Sequence, residues 1–245
     1  MANKMKQVAL TKAVKTVAKI YALFVALCAG YAVLLKVATP NDKKKFDETI
    51  NNAIDDTMNV LRLKKRPTIS TNVDGNDSFV MAAGGTINYK GGFFGTGTIV
   101  KTECNYILKI NEKALKRQLN SYYQAFGNKQ AVYDGLYLTV CHELRHMWQY
   151  ESQWYVGKEY NPLKETTQRM LEGHGTLEEE ADANKFATEM ATAKGIRELG
   201  EYLDLLQRTA GVMFVDKDTV KELREKRTEV AKKYNKVLYI IYKLL

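Results

Sequence analysis

Two histidines four positions apart, His142 and His146, with Glu143 between them, constrain this chain more than any other feature. On an α-helix such residues stand one turn apart on one face, so both imidazoles can reach one metal ion with Glu143 beside it. A fold that uses the pair must hold this stretch as a helix, bury its histidine face and bring a third ligand from another element. The chain has three histidines in all, and two fall in this pattern. Residues 131–150 read as that helix, with Leu136, Val140, Leu144 and Met147 as its core stripe. Cys141 reads as a small buried residue, and Trp148 and Trp154 as core or cleft wall.

With 245 residues, 45% hydrophobic and 27% charged, the chain is long enough for one sizeable core or one domain with an appendage. Cys28, Cys104 and Cys141 form no C-x-x-C pair, which argues against a disulfide framework and a structural zinc knot. The net charge of +9 suits an anionic partner, yet no nucleic-acid signature accompanies it, and no specific nucleic acid is predicted.

Residues 1–39 differ from the rest. Five lysines precede residue 20 with no acid among them, and the sixteen residues 20–35 are uncharged. With snorkelling lysines, residues 17–38 are expected to form a hydrophobic helix that anchors the protein at a membrane by a single N-terminal segment, orientation undetermined. Residues 40–66 read as an amphipathic connector, with Phe46, Ile50, Ile54, Met58 and Leu61 at helical spacing, a cap at Asn41 or Asp42, and Pro67 beyond its end. Residues 67–245 are expected to form the metal-binding domain. Within it, residues 68–110 read as short strands broken by glycines in no phosphate-loop pattern, and the remainder as helices.

The third ligand must follow the motif helix. Six positions beyond His146 stands Ser152, which rules out the metzincin arrangement. The acidic run at residues 177–187 supplies the candidates.

His142-Glu143-Leu144-Arg145-His146 followed by Glu180-Ala181-Asp182-Ala183-Asn184-Lys185-Phe186-Ala187 resembles the gluzincin zinc metallopeptidases, nearest to ImmA/IrrE-type and phage-borne members. The resemblance spans roughly residues 100 to 190. It implies an α+β, zincin-like fold: a small antiparallel sheet packed on the motif helix, with a helical C-terminal part. It also implies Zn2+ as cofactor and Glu180 as third ligand, the register in which Phe186 and Ala187 fit; a second register, Glu178 with Asp182, matches the form of other gluzincins. Asn184 would bond a ligand histidine, and an edge strand at Leu108-Lys109-Ile110-Asn111 would align a peptide or protein substrate. A phage or virion setting is part of the same expectation.

The residue types suit hydrolysis. Zinc acidifies its bound water, Glu143 flanks the open position as general base, and a further donor among His174, Tyr155 and Tyr160 would steady the oxyanion, with His174 the catalytic candidate among them. A dedicated processing enzyme that makes a single regulatory cut fits the same residues. The alternative of another class is a zincin-fold structural or interaction protein, a virion or membrane component without turnover.

Overall fold

The computed structural model describes residues 19, 21–22, 25, 42–71, 80–92, 95–210, 212 and 215–244. The chain divides into two units, Met1–Thr39 and Pro40–Leu245. In the first, the four described residues are helical.

The expected membrane anchor at residues 17–38 lies almost wholly outside the described residues. Among the described residues no helix is long and apolar enough to cross a membrane, so placement by a single N-terminal anchor is not supported. The uncharged run is itself short for a span, with sixteen residues between Lys19 and Lys36, against about 20 for a hydrocarbon core.

The second unit is mixed α+β and mostly helical. Helix α1 (Lys43–Leu61) starts at Asp42, whose carboxylate accepts from Lys45 N, and ends at Arg62 in the left-handed region. That αL cap stops the helix before Pro67 is reached. Its buried stripe of Ile50, Ala53, Ile54 and Thr57 lies against the motif helix.

Five strands follow: β1 (Thr68–Ser70), β2 (Met81–Ala82), β3 (Gly85–Lys90), β4 (Gly97–Cys104) and β5 (Ile107–Ile110). They do not make one antiparallel sheet. One three-stranded sheet runs β1-β5-β2, with β1 parallel and β2 antiparallel to β5. The other runs β3-β4-β6 and is antiparallel throughout, with β6 (Glu159–Tyr160) supplied from beyond the motif helix. The expected edge strand at Leu108–Asn111 is instead the centre of its sheet. Leu108 and Ile110 point into the core and Asn111 caps the next helix, so the outer place beside the cleft falls to β2.

Helices α2 (Glu112–Phe126) and α3 (Lys129–Glu151) are capped by Asn111 and Asn128. Helix α3 is the hub. Leu136, Val140, Leu144 and Met147 are all fully buried on it, with α1, α2 and α5 (Glu178–Ala193) around it and the sheets against its C-terminal half. Burial of four large apolar side chains contributes about 6–12 kcal/mol before chain entropy is set against it. Between α3 and α5 come α4 (Pro162–Glu172) and a 3-10 turn (His174–Thr176). Helices α6 (Arg197–Thr209), α7 (Lys217–Tyr234) and α8 (Lys236–Leu244) complete the unit, and the Tyr234 hydroxyl donates to Asp134 Oδ2 near the start of α3.

Candidate metal centre

His142 and His146 project from α3 toward Glu180, in the first turn of α5. The two Nε2 atoms are 3.1 Å apart, and Glu180 Oε2 lies 3.2 Å from that of His142 and 3.5 Å from that of His146. All three residues are buried, and together they could hold a metal ion. Tetrahedral ligation by nitrogen and oxygen places ligand atoms about 3.3 Å apart, so the triangle has the right size. Glu180 Oε2 is buried and faces both Nε2 atoms without a well-directed hydrogen bond, and a cation between the three atoms would satisfy it. The residues present therefore fit a divalent ion.

Of the two registers open in the acidic run, only one converges on the histidines. Glu178 turns outward to Lys158, Oε1 to Nζ 2.9 Å, and Asp182 is taken by Arg145. Glu180, two residues after Glu178 and two before Asp182, faces helix α3.

His174 enters from the other side. Its Nε2 is 3.2 Å from Glu180 Oε1, so all three histidines of the chain meet one carboxylate. The turn that carries it presses on α6. A Cβ at Gly173 would lie 2.0 Å from Arg208 O, one at Gly175 would lie 2.8 Å from Arg208 N, and His174 N donates to Ala210 O. Only glycines allow that approach, and Gly173 also needs its φ of +105°. Burial would raise the Glu180 carboxyl, but the three imidazoles outweigh it and hold the group well below the usual carboxylate range.

Glu143 lines the same cleft, and its Oε2 accepts from Ala83 N at 3.0 Å, just past β2. Burial pushes its carboxyl up, against the pull of His142 and His146. The cleft holds ≈ 1060 Å³ between β2, β4 and helices α3 to α5. Tyr150, Trp154 and Tyr155 form an aromatic wall, and burial together with Glu179 keeps the Glu165 carboxyl raised nearby.

The other oxyanion candidates also line the cleft. Tyr155 donates its hydroxyl to Gln149 Oε1 at 3.0 Å, and Tyr160, on β6, stacks on Tyr89 with centroids 4.5 Å apart. Asn184 does not bond a ligand histidine as expected: its side-chain nitrogen is buried without a partner. That part belongs to Gln149, which accepts from His146 Nδ1 at 2.8 Å. In the sequence, the only hint of Gln149 is its position three residues after His146, which puts it on the same helical face.

No protein-family model, no curated protein and no solved structure matches this chain.

Proposed function

We propose that the protein is a zinc-dependent metallopeptidase of gluzincin type, with zincin-like packing of sheet and motif helix. The observation that carries this reading is the meeting of three buried ligand atoms, 3.1–3.5 Å apart, beside Glu143 in an open cleft. The order of the motifs, His142-Glu143-Leu144-Arg145-His146 and then Glu180, supports it independently.

His142, His146 and Glu180 would hold the ion. When bound, zinc supplies a Lewis acid and a water acidified toward neutrality. Glu143 accepts the proton of the attacking water and passes it to the leaving amine; its burial raises its proton affinity toward what a base at neutral pH needs. The Ala83 N–H orients that carboxylate from one side. Strand β2 pairs with β5 along one edge, and Val80 to Ala83 line the cleft, so a peptide can lie along this segment. His174 holds Glu180 from behind through its Oε1, which makes it a supporting group for the ligand rather than an oxyanion donor.

The test is a peptide-library digest by zinc-loaded protein beside its Glu143→Gln variant. Cleavage by the parent, with loss of activity but not of zinc in the variant, is the expected result. One zinc per chain with no cleavage of any peptide or protein offered would overturn the peptidase reading and leave a structural metal protein.

A further inference from the structure

The motif helix and the helix bearing Glu180 meet at one side chain that neither motif contains. Gln149 is fully buried on α3. All of its hydrogen-bonding capacity is used. Oε1 accepts from His146 Nδ1 at 2.8 Å and from the Tyr155 hydroxyl at 3.0 Å, while Nε2 donates to Glu179 O at 2.9 Å and Asp182 Oδ2 at 2.8 Å. A flipped amide would set its oxygen against a carbonyl and a carboxylate, so the orientation is forced. With Oε1 facing it, the His146 Nδ1 must carry a proton, and Nε2 is the atom turned toward Glu180.

The other half of the side chain acts on α5. Glu179, whose carbonyl Gln149 engages, is the neighbour of Glu180 in the chain. Asp182, its second acceptor, is gripped by Arg145, Nε to Oδ2 2.7 Å and Nη2 to Oδ1 2.9 Å, and Arg145 precedes His146 in the chain. The polar contacts thus close a ring that leaves α3 at Gln149, crosses α5 at Asp182 and returns to α3 at Arg145. The Arg145 guanidinium completes it by lying 3.9 Å from the centre of the Trp148 ring.

We infer that Gln149 is a positioning residue for the metal centre: it sets the His146 ring and, through α5, the register of Glu180 against it. This rests on the reading of His142, His146 and Glu180 as a metal site, and it does not depend on peptide hydrolysis. Tyr155 carries the ring to the cleft wall. The sign of Gln149's contribution follows from geometry. Loss of its acceptor frees the His146 ring to turn, and loss of its donors lets α5 shift along α3.

Two variants of similar size separate these roles. Gln149→Met removes acceptor and donors, and Gln149→Glu keeps an acceptor for His146 while it removes the donors to Glu179 and Asp182. With three histidines in the chain, the ring N–H protons are few enough to assign by nuclear magnetic resonance. The metal-free parent is expected to show a slowly exchanging His146 Nδ1–H that Gln149→Glu retains and Gln149→Met loses. Zinc affinity, by competition with a chromophoric chelator, should fall about 10- to 100-fold in Gln149→Met. The visible spectrum of the cobalt-substituted protein should shift in both variants, and the Glu variant supplies the answer should Gln149→Met fail to fold. An unchanged His146 proton in Gln149→Met, or parental affinity and cobalt spectra in folded variants, would overturn the inference. A parent that takes up no zinc or cobalt would overturn it together with the metal site. A parent that binds zinc tightly but cleaves nothing would sink the peptidase reading alone.

Discussion

Arg145 holds Asp182 by two parallel hydrogen bonds, 2.7 and 2.9 Å, and so ties the motif helix to the helix that brings the third candidate ligand. The pair is largely shielded, and Gln149 donates to the same carboxylate. Asp182→Ala leaves the guanidinium without its partner and should cost about 2 kcal/mol of stability in denaturant unfolding of the metal-free chain. Burial works to raise the Asp182 carboxyl, but the bonds from Arg145 and Gln149 prevail and lower it. A lowered folded value means that its contribution is complete above the ordinary aspartate pKa and fades as pH falls through the lowered one. The stability difference between parent and Asp182→Ala should therefore shrink on acidification below about pH 4.

Metal uptake should expel a proton from His146. Without metal, burial disfavours the His146 imidazolium, yet Glu180, Glu143 and Gln149 prevail and raise the group to about 9. That raised value stabilises the metal-free fold below the ordinary histidine pKa, and the gain disappears as pH rises through about 9. Zinc binding near pH 7.5 should release about one proton from this residue. Calorimetry in buffers of different ionisation enthalpy measures it, and zinc affinity should climb with pH over the same range.

The two acidic registers separate by substitution. Glu180→Gln should weaken zinc binding by at least about 100-fold, because it removes the anionic ligand atom that both histidines face. Glu178→Gln, which breaks only an exposed pair with Lys158, should leave affinity unchanged and stability within about 0.5 kcal/mol. Equal losses in both variants would contradict the geometry.

Gly173→Ala tests how His174 is placed. The added Cβ would meet the Arg208 carbonyl at 2.0 Å in a backbone conformation of φ +105°. A loss of about 1–3 kcal/mol in thermal unfolding is expected. Relief of the clash by withdrawal of the turn would carry His174 away from Glu180, so the variant should also bind zinc more weakly than the parent.

Helix α3 was legible because helical periodicity acts over neighbouring residues. Leu136, Val140, Leu144 and Met147 announce one buried face, and His142 with His146 another. The mixed α+β character was legible for the same reason, through short glycine-broken strands before a helical remainder. The sheet arrangement was not. Two-residue strands such as β2 and β6 carry almost no propensity, and β6 pairs with Gly97 and Thr98 from more than fifty residues away. The reading of Leu108–Asn111 as an edge failed because alternation reports which side chains are buried, not how many strands flank them.

The amino-acid sequence by itself determined the helix, the histidine pair, Glu143 beside it, and a short acidic run as the source of a third ligand. Which acid turns inward and which way the Gln149 amide faces were decided only by the crossing of α5 over α3, and what Tyr160 touches by the pairing of β6 with β4. Local spacing places side chains on a face of one helix, but a hydrogen bond between Gln149 and Asp182, 33 positions apart, exists only once two buried faces have packed.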